Sequence, residues 1–257
     1  MDRREEILRE LNLYPLWVHR NQPVPVSRLG GGEADTQQLP MGIVQPVLSP
    51  STSSGQAPRS GVEGLNPSYA SNANTASWPE LKQQVRDCAV CKLRAGCTQT
   101  VFGVGDEKAD WLFVGEGPGA DEDEQGEPFV GQAGKLLDSM LAAIKLKRGV
   151  NVYIANVVKC RPPGSRAPEP DEIASCLPYL HRQIELIQPK LIVALGKTAA
   201  TALLGSDASL GSLRGKLHNF RGFPLLITYH PAYLLRSPLE KAKAWQDMCL
   251  ALETIQK

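Results

Sequence analysis

Residues 111–119 read WLFVGEGPG, and this stretch decides the fold class. A short apolar run that ends in a glycine-rich turn is typical of a strand buried on both faces of a sheet. Three further apolar runs of similar length occur at residues 152–158, 191–195 and 225–228. The four runs together predict the strands of one buried sheet.

Helical patterns separate these apolar runs. Apolar residues recur at helical spacing near residues 133–145, 171–186, 198–204 and 239–255. Buried strands that alternate with helices form parallel sheets with helices on both faces. The sequence therefore predicts an α/β fold, a three-layer α/β/α sandwich with a central, mainly parallel four-stranded sheet.

The chain divides into three predicted parts. Ser77 and Glu80 have the spacing of a capping box, so we expect a folded domain over residues 77–257. Residues 21–76 are rich in Pro, Ser, Gly, Gln and Asn, a composition that favours a disordered linker. Residues 1–20 predict a short amphipathic helix. This helix is either a frayed appendage or a docking peptide for a protein partner, and both interpretations stay open.

Composition excludes few function classes. The 257 residues are 42% hydrophobic and carry a net charge of +1, so any nucleic-acid binding must come from a local basic patch. The opening sequence MDRREEILRE is too charged for a signal peptide. No apolar stretch approaches the roughly 18 residues needed to cross a membrane. We therefore expect a cytoplasmic monomer with no membrane contact.

The six cysteines suggest a metal site. Cys88 and Cys91 form a C-x-x-C pair, and Cys160 and Cys176 flank a proline-rich loop. Four such thiols can close a tetrahedral site for zinc or hold an iron–sulfur cluster. Cys97 lies close enough in sequence to compete as a ligand. Buried free thiols fit the spacing equally well, because unpaired cysteine packs as a small apolar residue.

Polar side chains stand at three of the predicted strand ends. Glu116 follows the first strand, Asn156 lies on the second and His230 follows the last. In open α/β sheets, ligands bind at the carboxyl ends of the strands. Each residue could instead serve as a turn cap or a backbone partner. Their joint placement at one sheet edge favours a hydrolytic site with a hydrogen-bonding side chain for the substrate.

Five segments carry a resemblance to a known family. They are CAVC at 88–91, GEGPGADEDEQGEPFVG at 115–131, NVVKCRPP at 156–163, LGKTA at 195–199 and HPAYLLR at 230–236. Their order and content resemble the family 4, iron–sulfur uracil-DNA glycosylases. The resemblance implies a base excision repair enzyme that hydrolyses the N-glycosidic bond of uracil in single- or double-stranded DNA and leaves an abasic site. The first 76 residues lie outside it.

The resemblance also implies the cofactor. It makes the metal a [4Fe–4S] cluster with Cys88, Cys91, Cys160 and Cys176 as its ligands. It excludes Cys97 from the ligand set. We expect this cluster to be structural, because it joins the proline-rich loop to the first helix of the domain.

The chemistry of uracil excision suggests a role for each candidate residue. Glu116 and His230 are the expected catalytic groups, one opposite the developing sugar cation and the other at the uracil oxygen that gains charge. Asn156 offers a donor and an acceptor that match O4 and N3–H of uracil. Phe129 can stack on the flipped base. Within the resemblance, Glu122 is the candidate that excludes thymine near the C5 position.

Further candidates contact the nucleotide or the DNA. The backbone around Gly117 and Gly119 can approach the ligand closely. Leu234 or Leu235 can wedge into the gap that the flipped base leaves, and Arg236 can hold a phosphate.

Two positions depart from the family pattern, and rival functions stay open. Gly117 stands where alanine is common, and Ala232 stands where serine is common. A covalent uracil-DNA binder needs a loop histidine after the third cysteine, and residues 161–175 contain none. A non-catalytic uracil-DNA binder, an iron–sulfur scaffold or redox protein, and a glycosylase with a broader choice of bases also fit the motifs.

Overall fold

The structure is a computed structural model that describes residues 73–256. The helix predicted at residues 1–20 lies outside the described residues, as does the predicted linker up to residue 72. Ala73 and Ala76 are buried, and the Arg182 guanidinium donates to the Ala76 carbonyl at 2.8 Å. Packing therefore begins a few residues before the predicted start at Ser77.

One sheet organises the described residues. It has six strands in the order β1-β3-β2-β4-β6-β5. The strands are β1 Val104–Gly105, β2 Trp111–Gly115, β3 Val152–Asn156, β4 Leu191–Leu195, β5 Leu217–Phe220 and β6 Phe223–Thr228. The four central strands are parallel to one another and coincide with the four apolar runs. The prediction of a mainly parallel sheet is confirmed.

The two edge strands were not predicted. Both β1 and β5 pair antiparallel with their neighbours and lie at the borders of the sheet. Strand β1 has only two residues, and β5 is mostly exposed or half-exposed. Neither has a continuous apolar run, because an edge strand is not buried on both faces. The sheet consequently has two strands more than the sequence predicted.

Helices cover both faces of the sheet. The bounds are α1 Trp78–Arg86, α2 Ala120–Gln125, α3 Gln132–Ala143, α4 Pro170–Ile187, α5 Lys197–Leu204, α6 Leu210–Leu213, α7 Pro231–Arg236 and α8 Lys241–Ile255. Leu112 and Val114 of β2 face the core under α1, α4 and α5, whereas Trp111 and Phe113 face the core under α3 and α8. This alternation is the period of two that a strand imposes, and it produces the three predicted layers. Across the described part of the chain, every helix is too short or too polar to cross a membrane.

The first helix begins where the sequence predicts. The Glu80 carboxylate accepts hydrogen bonds from the backbone N–H and the hydroxyl of Ser77, at 2.7 and 2.6 Å. This contact satisfies a backbone donor that the first turn of a helix leaves without a partner. Helix α1 is thereby fixed just before the C-x-x-C pair.

Candidate active site

A cavity of about 430 Å³ opens at the carboxyl ends of the four central strands. Glu116 follows β2, Asn156 ends β3, Gly196 follows β4 and His230 follows β6, and all four line this cavity. The sheet topology thus brings together the three strand-end residues that the sequence singled out. The cavity is the candidate binding site.

Asn156 is the most informative residue of the cavity. Its side chain is 1% exposed. Its amide oxygen is buried and has no hydrogen-bond partner among the described residues. A buried amide without a partner costs free energy, which a ligand that supplies the missing donor recovers. The position therefore suits a ligand with a planar, polar edge.

Phe129 lies beside Asn156 in an unusual backbone conformation. Its φ angle is +57°, a region that non-glycine residues rarely adopt. Arg148 stabilises the turn by donating to the carbonyls of Pro128 and Phe129 at 2.8 and 2.7 Å. Gly134 is also required, since a Cβ there would stand 1.8 Å from the Phe129 oxygen. Nothing in the sequence pointed to Arg148, because its partners are backbone atoms of a distant loop.

His230 presents a neutral imidazole to the cavity. Its Nδ1 accepts from the Ala232 N–H at 3.1 Å, which leaves the proton on Nε2. Burial, followed by the nearby Arg236 charge, lowers the pKa of His230 to about 4. The ring stacks on Phe129 with centroids 5.5 Å apart and planes 30° apart. The Nε2–H group is therefore available as a donor at neutral pH.

Glu116 lies in the cavity with one carboxylate oxygen already engaged. Its Oε2 accepts a hydrogen bond from the Thr198 hydroxyl, at the start of α5. This contact fixes the carboxylate direction and leaves Oε1 for a ligand or a water molecule. Thr198 belongs to the LGKTA segment, for which the sequence alone indicated no chemical role.

The Glu122 carboxylate is held by hydrogen bonds from three backbone N–H groups. Its Oε2 accepts from the Gly119 N–H at 3.0 Å, and its Oε1 accepts from Val130 and Gly131 at 2.9 and 3.1 Å. The carboxylate therefore joins the start of α2 to the turn that carries Phe129. Glu122 also lines the cavity, and its role in excluding thymine stays a prediction.

Gly117 and Gly119 line the same cavity, as predicted from the glycine-rich turn. An added Cβ at Gly117 would stand 2.7 Å from Cγ2 of Val158. Val158 thus occupies the space that an alanine side chain would need at this position. Gly119 donates its N–H to Glu122, so this backbone group supports the turn.

The segment after His230 divides into buried and exposed residues. Leu234 is 1% exposed and packs into the core, whereas Leu235 is 44% exposed. Of the two leucines predicted to form the wedge, only Leu235 is therefore exposed, and its contact with DNA stays a prediction. Arg236 is exposed and lines the cavity, together with the cations Arg166 and Lys197. Sequence reasoning missed these two cations.

The four predicted cysteine ligands line a second cavity. Cys88 and Cys91 follow α1, Cys160 follows β3, and Cys176 lies on α4. Burial raises the pKa of the Cys91, Cys160 and Cys176 thiols, that of Cys176 to about 12. Without a bound cation these thiols are neutral at pH 7, and a metal would deprotonate them.

The fifth cysteine of this region lies outside the cysteine cavity. Cys97 does not line the cavity, although its thiol interacts with that of Cys160. Within residues 73–256, no group of three or more His, Cys, Asp or Glu side chains is arranged to hold a metal ion. The four thiols nevertheless line one cavity.

A buried lysine lines the cysteine cavity and contacts Asn156 of the first cavity. Lys159 is 1% exposed, and burial lowers the pKa of its ammonium group to about 8. Sequence reasoning missed this residue, because a lysine after a strand is normally exposed.

Comparison with known proteins identifies the family of this fold. The family model described as the uracil DNA glycosylase superfamily matches residues 102–250. The chain therefore belongs to the uracil-DNA glycosylase superfamily.

The chain shares more residues with type-4 enzymes than with a type-5 enzyme. A type-4 uracil-DNA glycosylase of Archaeoglobus fulgidus is 44% identical over 170 residues, which are 63% of this chain and 85% of the relative. A type-4 enzyme of Thermotoga maritima is 42% identical over 179 residues, 69% of this chain and 90% of the relative. A type-5 uracil-DNA glycosylase of Thermus thermophilus is 34% identical over 153 residues, 51% of this chain and 68% of the relative.

Proposed function

We propose that this protein excises uracil from DNA by hydrolysing the N-glycosidic bond, which leaves an abasic site. One observation carries the proposal: the buried Asn156 amide, whose oxygen lacks a partner in the described residues, shares a cavity with His230 and Glu116. The names of the type-4 relatives support the same activity. The protein is accordingly a hydrolase of base excision repair.

Base recognition follows from the amide. Uracil in a duplex is stacked, so the nucleotide must be flipped into the cavity before any reaction. The Asn156 oxygen then accepts from N3–H of uracil, and its NH₂ group donates to O4. Phe129 provides an apolar ring for stacking. Cytosine presents the opposite polarity at both positions, so the same amide rejects it.

Bond cleavage follows from the two flanking groups. The N-glycosidic bond breaks towards a sugar with cationic character and a uracil anion. The neutral Nε2–H of His230 donates to the uracil oxygen that gains charge. The Glu116 carboxylate, oriented by Thr198, stabilises the cation and directs a water molecule to the sugar carbon.

Binding to DNA uses the rim of the cavity. Leu235 is the exposed apolar side chain that we assign to the gap in the base stack. Arg236 and Lys197 are assigned to phosphates near the flipped nucleotide. Two of the cations also have carboxylate partners. The Arg166 guanidinium makes a two-point contact with Glu172 at 2.8 and 2.6 Å, and the Lys197 ammonium lies 3.5 Å from a carboxylate oxygen of Asp207.

The cofactor that we propose is a [4Fe–4S] cluster on Cys88, Cys91, Cys160 and Cys176. The donor set fits, since four thiols line one cavity. The resemblance to the iron–sulfur enzymes of family 4 favours a cluster over a single zinc ion. When bound, it joins α1 and α4 to the loop after β3.

The test is a glycosylase assay with uracil-containing oligonucleotides, single- and double-stranded, followed by alkaline cleavage at abasic sites. We expect cleavage at uracil and none at cytosine or thymine in otherwise identical strands. Retention of the DNA as a covalent adduct would favour the binder instead. Absence of both cleavage and adduct would favour the scaffold or redox protein.

A further inference from the structure

Lys159 makes four contacts that join the uracil cavity to the cysteine cavity. Its ammonium group donates to the Asn156 carbonyl at 2.9 Å and to Gln183 Oε1 at 2.7 Å. Its backbone N–H donates to Cys176 Sγ at 3.2 Å, and its carbonyl accepts from the Val101 N–H at 2.7 Å. Both acceptors of the buried ammonium are uncharged. Burial of an ammonium group with only uncharged acceptors costs free energy.

The Asn156 side chain needs this kind of support. Its amide oxygen has no partner among the described residues, so hydrogen bonds to that oxygen do not set its direction. The Lys159 ammonium holds the peptide carbonyl of Asn156 at 2.9 Å. The backbone angles of Asn156 in turn limit the rotamers that its side chain can adopt.

The same lysine is anchored on the side of the cysteines. Gln183 lies on α4, as Cys176 does, and its NH₂ group donates to the Phe102 carbonyl at 3.0 Å. Cys160 is the next residue after Lys159. A shift of α4 or of the cysteine segment would therefore move the ammonium group and, with it, the carbonyl of Asn156.

We propose that Lys159 is a positioning residue, which orients the Asn156 amide for contact with uracil. Through Lys159, the orientation of Asn156 depends on the segment that holds Cys160 and Cys176. The inference rests on the proposed function. It predicts that Lys159 affects the rate of excision and the choice of base more than the affinity for DNA, because Lys159 does not line the uracil cavity.

The experiment replaces Lys159 by methionine, which has similar volume and no charge. Exchange of a buried charge for an apolar side chain is often neutral or stabilising, so we expect K159M to fold. Substitutions of supporting residues typically cost about 10–100-fold. We expect a fall of that size in the single-turnover rate on uracil, with unchanged iron content and unchanged affinity for abasic-site DNA. Discrimination against cytosine should weaken as well.

A matched control and a second variant complete the experiment. Lys92 follows Cys91 and is 54% exposed in an ion pair with Glu169, so K92M should keep the wild-type rate. Q183M removes the second acceptor of the ammonium and should give a smaller fall than K159M. If K159M does not fold, Q183M decides by the same criteria.

Two outcomes would overturn the inference. One is a K159M or Q183M protein that excises uracil at the wild-type rate. The other is a joint loss of iron, DNA affinity and thermal stability, which would indicate a structural role alone. Failure of the wild-type protein and of K92M to release uracil would instead contradict the proposed function.

Discussion

Gly115 gives the most direct steric test of the candidate site. A Cβ added there would stand 2.4 Å from Asn156 Oδ1 and 2.5 Å from Phe129 Cζ, whereas ordinary contacts begin at 3.4 Å. Gly115→Ala must therefore displace the amide, the ring or both by about 1 Å, the size of misplacement that can lower a catalysed rate by about 10²-fold. Both neighbours are buried, so overpacking should also cost about 1–3 kcal/mol of stability.

The assay is single-turnover excision from a uracil-containing single strand with enzyme in excess, beside thermal unfolding. Gly211→Ala is the matched control, because a Cβ at Gly211 meets nothing within 4 Å. We expect Gly115→Ala to lose about two orders of magnitude in rate while Gly211→Ala keeps the wild-type rate. Wild-type excision by Gly115→Ala would refute the placement of Asn156 and Phe129 around the base.

Three further predictions address the charge, the cluster and the pH dependence. Glu116→Gln keeps the side-chain volume but removes the charge opposite the developing cation. The single-turnover excision rate should therefore fall about 10²–10³-fold, with DNA affinity retained. An unchanged rate would mean that Glu116 only accepts the hydrogen bond from Thr198 and is not catalytic. Cys176→Ala should remove the visible absorbance of the cluster and lower the unfolding temperature, whereas Cys97→Ala should do neither. Stoichiometric zinc in anaerobically purified protein would contradict the presence of a cluster. Burial lowers the pKa of His181 and of His230 from 6.5 to about 4. Between pH 6.5 and 4 the unfolded chain therefore binds more protons than the folded one, so the free energy of unfolding should decrease as the pH falls through this range. His181→Gln should make that decrease smaller in urea titrations. If the free energy of unfolding changed with pH equally in wild type and His181→Gln, the lowered pKa of His181 would be contradicted.

The sequence predicts the centre of the sheet well, for a physical reason. Strands β2, β3, β4 and β6 are buried on both faces and must be apolar throughout. Parallel strands also place their carboxyl ends together, so the convergence of Glu116, Asn156 and His230 follows from chain order. The edge strand β5 escapes prediction, because its exposed residues need no pattern that a loop could not also have.

The contacts that orient the site are not visible in the sequence. Arg148 acts on the carbonyl of Phe129, and Lys159 acts on the carbonyl of Asn156. Backbone acceptors leave no trace in the side-chain pattern, so the sequence indicates a role for neither residue. The choice between Leu234 and Leu235 likewise depends on how α7 is turned against the core, which a pair of adjacent leucines does not encode.

The central claim is that Asn156 selects the base, and Asn156→Asp tests it most directly. A carboxylate removes the donor to O4 of uracil and supplies an acceptor for the N4 amine of cytosine. Each mismatched polar group in a buried pocket costs about 1–3 kcal/mol. The measurement is the single-turnover excision rate on uracil and on unpaired cytosine, for wild type and for Asn156→Asp. We predict a large loss on uracil and a weak gain on cytosine. Excision of uracil by Asn156→Asp at the wild-type rate would contradict the account.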